Sequence, residues 1–375
     1  MEFNNIKVLH IITDLGLGGA ETMLYKIIAN SPDPKKHSVI SLRSKGFFGD
    51  KIEELGANVY PLGMTKNPFF LNPFKVIKLI KEISPDAIQC WMFHANLFGS
   101  IFGRLAGIKN IAWGIHHSIS KNDKCSIRII NKILAFISHN FCKTVICCGT
   151  KPSKICKDSG YDKEKILCIY NGFDISSMNF NAKWRDEIRE ELGLKNFHFV
   201  IVHVARYHYL KNHIGLLRIF ANLLKINKDA KLLLVGDGIK DRKEIEETID
   251  ALNIRKSIQI LGMRSDVNKI YSAADVSILT SLAEGFPNVI GESMLCKCPC
   301  VSSDVGDCGF IIGNPNFVID LNNEDGFVKI LNDIANLSSD EQVNLREHSR
   351  NRIVENFDIK KIYAQYNDAW NKKSK

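Results

Sequence analysis

A chain of 375 residues is longer than one hydrophobic core usually organises, and two domains are expected. Hydrophobic residues at 45% beside 24% charged residues exclude a disordered or low-complexity chain, and no apolar run approaches the roughly 18–20 residues of a membrane span. The net charge of +9 is uneven: residues 1–175 hold 23 Lys and Arg against 14 Asp and Glu, while the rest holds 27 of each, so an anionic partner is expected for the first half only.

Met1-Glu-Phe-Asn-Asn-Ile-Lys7 lacks a signal-peptide layout, and the expected location is the cytoplasm. The 11 cysteines are an odd number, scattered, and often inside apolar runs, as at Cys90, Cys147 and Cys148. They read as buried reduced thiols. Cys296, Cys298 and Cys300 follow a C-x-C-x-C spacing, unlike the C-x2–4-C pairs of common zinc sites, so no metal site is expected.

The first strand is expected at Ile6–Ile12. Thr13-Asp-Leu-Gly-Leu-Gly-Gly-Ala-Glu21 follows, then a helix over about 20–29. Gly18 and Gly19 on a strand-to-helix loop allow backbone to approach a ligand and present amides at a helix start. Strands at Val39–Leu42, Ala87–Cys90, Ile111–Ile115 and Thr144–Cys148 alternate with helices at Pro73–Ile83, Asn96–Ala106 and Ser126–Phe141. This alternation predicts an α/β doubly wound sheet. Asn171-Gly-Phe-Asp174 reads as a turn, and the polar helical stretch 175–197 as a connection.

A second α/β series begins at Phe199–Val204. Its further strands are Lys231–Val235, Ile258–Leu261, Val276–Leu279 and Pro299–Ser302, with helices near 212–226, 240–252 and 266–273. The stretch 340–372 is helical. Arg206 and Lys211 follow the first of these strands, on a loop before a helix. A planar guanidinium fork and an ammonium point charge there suit a diphosphate; a solvated basic loop is the alternative. Glu284 and Glu292 stand eight positions apart around Gly285, Phe286, Pro287 and Asn288. Glu284 belongs on a strand-to-helix loop, and Glu292 one to two turns into a helix with Pro287 at its first turn. Such loops open at the carboxyl ends of parallel strands, where ligands bind. A carboxylate there can accept from sugar hydroxyls, and a second can hold a ribose. His116 and His117 follow the strand Ile111–Ile115, where an imidazole can hydrogen-bond a reacting hydroxyl. No D-x-D triplet, a carboxylate pair that could hold a divalent metal, occurs, and no metal or other cofactor is expected; Arg206, Lys211 and helix amides are the groups available to a diphosphate.

Glu284-Gly-Phe-Pro-Asn-Val-Ile-Gly-Glu292, with the run Ala274–Val289 around it, resembles the E-x7-E signature of family 4 retaining glycosyltransferases. Gly18-Gly-Ala-Glu21, Asn171–Asp174 and Arg206-Tyr-His-Tyr-Leu-Lys-Asn212 resemble further elements of that family, although Ala205 replaces the usual Gly before Arg206 and Asp304-Val-Gly-Asp307 departs from a Gly-Gly turn. The resemblance covers most of the chain and is strongest over 199–306. It implies a GT-B fold: two Rossmann-like doubly wound domains, 1–175 and 176–355, a cleft between them, and a C-terminal helix, 356–375, returning to the first domain. It implies a nucleotide-diphosphate sugar on the second domain, with Gly236, Gly262, Met263 and Gly285 through Asn288 among its contacts, Arg206 and Lys211 on the diphosphate, Glu284 on the sugar and Glu292 on the ribose. It favours His116 over His117 as the histidine beside the anomeric centre. His94, Asn96 and His117 are candidates for the acceptor. The implied activity is metal-independent transfer to a glycan or lipid-linked acceptor in surface-polysaccharide biosynthesis.

Rival readings are an epimerase or phosphorylase of the same fold, and a basic nucleic-acid binder. No cofactor-lysine site for a phosphorylase is evident, and no aromatic-interleaved basic groove. The helix within 121–143 carries Ile127, Ile130, Leu134, Ile137 and Phe141 as an apolar stripe, flanked by Lys121, Lys124, Arg128, Lys132 and Lys143. The stripe is expected to pack on the first sheet while the basic flank meets an anionic membrane surface.

Overall fold

The computed structural model describes residues 6–64, 72–116 and 125–371. The chain forms two compact units, Met1–Gly172 with Ile359–Lys375, and Phe173–Asp358.

The first unit begins β1 (Val8–Ile12), α1 (Gly19–Ala29), β2 (His37–Ser41), α2 (Gly46–Glu54) and β3 (Asn58–Pro61). It continues with α3 (Pro73–Ile83), β4 (Ala87–Trp91), α4 (Phe93–Leu105) and β5 (Ile111–Ile115). Then come α5 (Cys125–Phe141), β6 (Thr144–Cys147), α6 (Thr150–Asp158) and β7 (Ile166–Cys168). All seven strands pair in parallel, in the order β3-β2-β1-β4-β5-β6-β7. β1, β4, β5 and β6 are wholly buried, as apolar runs covered on both faces must be. One face carries a core built from Leu24, Ile27, Val39 and Trp91, the other a core built from Ile80, Phe98, Trp113 and Leu134.

The second unit runs α7 (Ala182–Glu191), β8 (Phe199–Val204), α8 (His213–Ile226), β9 (Ala230–Val235), α9 (Lys243–Ala251), β10 (Ile258–Gly262) and α10 (Val267–Ala273). It closes with β11 (Val276–Leu279), α11 (Asn288–Leu295), β12 (Cys300–Ser303), α12 (Cys308–Ile312), β13 (Val318–Ile319), α13 (Glu324–Ala335) and α14 (Ser339–Phe357). Its sheet is also parallel, in the order β10-β9-β8-β11-β12-β13. In both sheets the order reverses beside the unit's first strand, at β1/β4 and at β8/β11. Those are the switch points, where the carboxyl ends of the strands leave room for a ligand.

The helical stretch near 340–372 is two helices. A Ser338–Glu341 capping box starts α14, with the Ser338 hydroxyl accepting the Glu341 amide. The chain breaks at Asp358, and α15 (Ile359–Asn371) buries Ile362, Tyr363, Tyr366 and Trp370 in the core of the first unit, against α1 and the sheet. Burying side chains of this size contributes about 2 kcal/mol each. α2, β3, α6 and α13 are elements that sequence patterning did not reveal. The edge strand β3 buries only Val59.

Candidate functional site

In the second unit the expected donor residues gather at the carboxyl ends of β8, β9, β10 and β11. Past β8, backbone bonds tie each loop to its neighbour: Ala205 N–H donates to Val235 O at 2.9 Å, Tyr207 N–H to Asp237 O at 2.7 Å, and Gly236 N–H to Gly262 O at 2.8 Å. Gly236 sits at φ +152°, and a Cβ there would lie 1.9 Å from the Ala205 carbonyl oxygen. A glycine is therefore required at 236, and Ala205 is accommodated with 9% exposure. Gly262 has φ +67° and open space where a Cβ would stand, and Met263 beside it is 79% exposed.

Lys211 closes a short 3-10 turn, Tyr209–Lys211, and Asn212 follows in the left-handed region at φ 52°, its side chain accepting the Gly215 amide at 3.2 Å. That cap fixes where the turn hands over to α8. The Lys211 Nζ donates to Glu284 Oε1 at 2.5 Å, bridging the two strands of the switch point. One of its three N–H donors is spent this way. Both side chains are largely shielded, 24% exposed for Lys211 and 11% for Glu284. Arg206 is exposed, and no partner for its guanidinium stands among the described residues.

The Glu284 loop is braced from both sides. Leu282 N–H donates to Leu210 O at 2.7 Å, and the Ser303 hydroxyl to Ser281 O at 2.7 Å. Gly306 is the residue that sequence reasoning missed. Its φ is +57°, and a Cβ would stand 2.6 Å from the carbonyl oxygens of both Glu284 and Gly285. Asp307 N–H then donates to Gly285 O at 3.0 Å. The departure from a Gly-Gly turn thus leaves one glycine, at the position where the backbone of Glu284 passes.

Two expectations on this loop change. The Phe286 side chain is 8% exposed and packs on Phe173 and Phe357, with ring centroids 6.3 and 5.7 Å away. Its expected donor contact is therefore not a side-chain contact. Pro287 is buried and stands at the N-cap position of α11, one residue before the first helical turn where it was expected. Asn288 opens α11, and Glu292 is half-buried on that helix, near enough that its charge adds to burial in raising the Tyr271 hydroxyl well above its ordinary value.

In the first unit, Gly18 caps α1 with no side chain, and space is open above Gly16 and Gly19. His116 follows β5. Both its ring nitrogens are shielded from solvent and lack a partner among the described residues. Burial pushes its pKa down to about 4, so the ring is neutral at pH 7, with one donor and one acceptor unspent. It stacks on Trp91 at 4.9 Å. Trp91 ends β4, and Met92 follows at φ 73°, ψ 165°, a conformation that costs a side-chain-bearing residue about 1–3 kcal/mol and is typical of functional sites.

Trp91 is held by a chain of buried groups that the sequence did not announce. Its indole N–H, a donor only, donates to His10 Nδ1 at 3.2 Å. The proton of His10 is therefore on Nε2, which donates to His37 Nδ1 at 2.8 Å. His37 Nε2 in turn donates to the Ser31 hydroxyl at 2.9 Å, and Ser31 lies 3.2 Å from the Tyr363 hydroxyl on α15. Burial holds His10 well below its ordinary pKa and brings His37 down to about 4.

Of the acceptor candidates, His94 is exposed on the first turn of α4, its pKa lowered by partial burial and by Arg43. Asn96 is a correction. It is fully buried, its amide donates to Gly114 O at 3.2 Å, and its carbonyl oxygen accepts Gly114 N–H at 3.3 Å. It supports the end of β5 and presents no accessible group. His117, Lys121 and Lys124 lie outside the described residues. Among the described residues, no group of three or more His, Cys, Asp or Glu is placed to hold a metal ion. Cys296, Cys298, Cys300 and Cys308 are buried.

Two doubly wound parallel sheets, of seven and six strands, each with its loops at a switch point, define a GT-B architecture. Residues 17–177 match the model of Glycosyltransferase Family 4, and residues 185–352 match that of Glycosyl transferases group 1, so the chain belongs to the glycosyltransferases built from these two domains. It is 25% identical over 380 residues to UDP-Gal:alpha-D-GlcNAc-diphosphoundecaprenol alpha-1,3-galactosyltransferase of Escherichia coli, covering 98% of this chain and 97% of that protein. It is 25% identical over 308 residues to the capsular polysaccharide biosynthesis glycosyltransferase CapH of Staphylococcus aureus, covering 80% of this chain and 82% of CapH. Among solved structures, Anabaena HepE in complex with UDP superposes with a TM-score of 0.86 at 22% identity, over 97% of this chain and 99% of that one.

Proposed function

We propose that this glycosyltransferase moves a sugar, with retention, from a nucleoside-diphosphate donor to a glycan carried on a polyprenyl-diphosphate lipid, in the building of a surface polysaccharide. The observation that carries this is the Lys211–Glu284 pair at the switch point of the second unit, with Arg206 exposed on the adjoining loop. Arg206 and the two remaining N–H donors of Lys211 meet the charge of the departing diphosphate. Glu284 accepts from donor-sugar hydroxyls, and Glu292 holds the ribose. The backbone at Gly236, Gly262 and Met263 lies along the nucleotide. The bond from the anomeric carbon to the phosphate oxygen breaks, the bond to the acceptor oxygen forms on the same face, and the acceptor proton passes to the departing phosphate. His116, being neutral, hydrogen-bonds a sugar hydroxyl and supplies no positive charge. No metal takes part, so transfer survives excess chelator; loss with EDTA, restored by magnesium or manganese, would refute that. The lipid acceptor rests on the E. coli relative, whose printed substrate is a diphosphoundecaprenol-linked sugar and which matches over 97% of its length.

A lipid acceptor requires a membrane surface. No helix among the described residues is long and apolar enough to cross a membrane. α5 is instead apolar on two sides. Leu134 is buried, with Ile127, Ile130 and Ile137 packed against the core it shares with Ile80, Phe98 and Trp113, while Ile129, Ile133 and Phe136 are 53%, 41% and 83% exposed beside Arg128 and Lys132. An outward apolar face with basic residues fits an anionic lipid surface, which attracts each cation by about 1 kcal/mol. Sedimentation with anionic vesicles tests this docking. Wild type pellets at low salt, and an Arg128→Glu, Lys132→Glu, Phe136→Ser variant does not; equal pelleting refutes it.

The activity is tested by incubating nucleotide sugars with a polyprenyl-diphosphate-linked sugar and reading the product's anomeric configuration by NMR. Retention with net transfer is the expected result. Conversion of the donor without acceptor would mark an epimerase, and an inverted product would exclude the proposed chemistry.

A further inference from the structure

The second unit holds three guanidinium groups against one carboxylate. Asp275 stands just before β11, at the amino end of the sheet and so at the far end of the strand from the Glu284 loop. Its Oδ1 accepts from Arg185 Nη2 at 2.7 Å and from Arg346 Nη2 at 2.9 Å. Its Oδ2 accepts from Arg189 Nη2 and from the Val200 amide, each at 2.8 Å. No other carboxylate among the described residues is within ion-pair distance of these three arginines. The cluster therefore carries two positive charges in excess. It is also shielded: the side chains of Arg185, Arg189 and Arg346 are 24%, 5% and 15% exposed. Burial pushes the Asp275 carboxyl up, the three arginines overcome it, and the group stays below its ordinary value. Burial and the neighbouring arginines lower Arg189 and Arg346, while Asp275 acts the other way.

A cavity of about 140 Å³ opens beside the cluster, lined by Arg185, Arg346, His198, Gln342 and Asp275 among others. That is well below the roughly 300 Å³ and more of pockets for drug-sized ligands, and it suits one small ion. N–H donors on its lining residues are unspent. The Nε of Arg185 and the Nε of Arg346 have no partner among the described residues, while their other nitrogens bond Asp275 and the carbonyls of Ser272, Ala273, Ala274 and Lys297. His198 Nδ1 accepts the Lys195 amide at 2.9 Å, so the neutral ring carries its proton on Nε2, a further donor. Lys297 nearby is already paired, with Glu347.

We propose that this cavity is a binding site for a small tetrahedral dianion, such as inorganic phosphate or sulfate, which supplies the two negative charges that the Arg185–Arg189–Arg346–Asp275 cluster lacks. The ion stabilises the second unit from the amino ends of β8, β11 and β12, apart from the loops that carry Arg206, Lys211 and Glu284.

Thermal melting of the full chain tests this in chloride, phosphate and sulfate at equal ionic strength. Four forms are compared: wild type, Arg206→Ala with Lys211→Ala, Arg185→Gln, and Gln342→Glu, which sets a carboxylate into the cavity wall. A dianion at 100 times its Kd multiplies the folded-to-unfolded ratio by about 100. Phosphate or sulfate is expected to raise Tm by several degrees over chloride in wild type and equally in the Arg206→Ala, Lys211→Ala form. The rise is expected to shrink at least threefold in Arg185→Gln and in Gln342→Glu. Absence of the rise in wild type overturns the site. Its loss in Arg206→Ala, Lys211→Ala overturns it too, since the anion would then sit at the donor loops. A full rise in Gln342→Glu, or in a folded Arg185→Gln, does the same.

Discussion

Replacing Glu284 by Gln separates what this residue does for the fold from what it does for a substrate. The Lys211 Nζ lies 2.5 Å from Glu284 Oε1, with the two side chains 24% and 11% exposed. Breaking a fully buried ion pair costs about 3–5 kcal/mol, but the amide oxygen of Gln still accepts from Lys211. The loss is then the difference between a charge-assisted and a neutral hydrogen bond, about 1 kcal/mol. For a domain of this size that lowers Tm by about 3 °C. Removing the carboxylate also frees the Lys211 charge, so a nucleoside diphosphate binds as well as before or more tightly. Transfer behaves oppositely, because an amide carries no negative charge toward the donor sugar as its bond to phosphate breaks. We expect turnover at saturating donor to fall by about 100-fold, equivalent to about 3 kcal/mol in the barrier. The assay is release of nucleoside diphosphate with acceptor present, beside calorimetric titration of the same nucleoside diphosphate. Wild-type turnover in a folded Glu284→Gln protein would remove this residue from the site.

Three further outcomes are expected. Gly306→Ala places a Cβ 2.6 Å from two carbonyl oxygens at φ +57°, so it should cost about 2–4 kcal/mol and lower transfer through the Glu284 loop. Gly16→Ala, with open space around its Cβ, should melt as wild type; equal melting of both variants would contradict the close approach at Gly306. Stability should fall with acid, since His37, His116 and His213 are depressed to about 4 and His203 to about 3 by burial. The unfolded chain takes up these protons below about pH 6.5 and the folded chain does not, so stability is full above that pH and each histidine removes about 2 kcal/mol by pH 5. Urea denaturation that is flat between pH 7 and 5 would refute this. Trp91→Phe keeps a ring beside His116 but leaves His10 Nδ1 without its donor, so Tm should fall for a cost of about 1–2 kcal/mol while turnover stays within a fewfold. Trp91→Ala should reduce both, and equal turnover in the two variants would show that the stack on His116 does not matter.

What the sequence disclosed follows from where information sits along the chain. Arg206, Lys211 and Glu284 lie just past apolar strands, and in a parallel sheet the carboxyl ends of strands meet on one side whatever the details of packing. Gly306 was illegible because its need arises from the carbonyls of Glu284 and Gly285, which the fold brings against it from another loop. The His10–His37–Ser31 chain was hidden for the same reason: it depends on the pairing of β1 with β2 and ends at Tyr363, 332 positions from Ser31. Asn96 and Phe286 misled in a different way. A polar residue near a helix start and an aromatic inside a binding motif both read as ligand-facing, but the first is consumed by the backbone of Gly114 and the second by an aromatic cluster. The α5 stripe was visible, but its second apolar face became apparent only once Leu134 was seen to be buried while Phe136 was not.

The placement proposed above is that of a nucleotide sugar's diphosphate on the loops after β8 and β11. It is tested most directly by titrating a nucleoside diphosphate and the matching nucleoside into wild type, Arg206→Ala and Lys211→Ala. Each substitution should weaken the nucleoside diphosphate by about 2–4 kcal/mol and leave the nucleoside almost unchanged. Equal losses for both ligands, or no loss for either, would contradict the account.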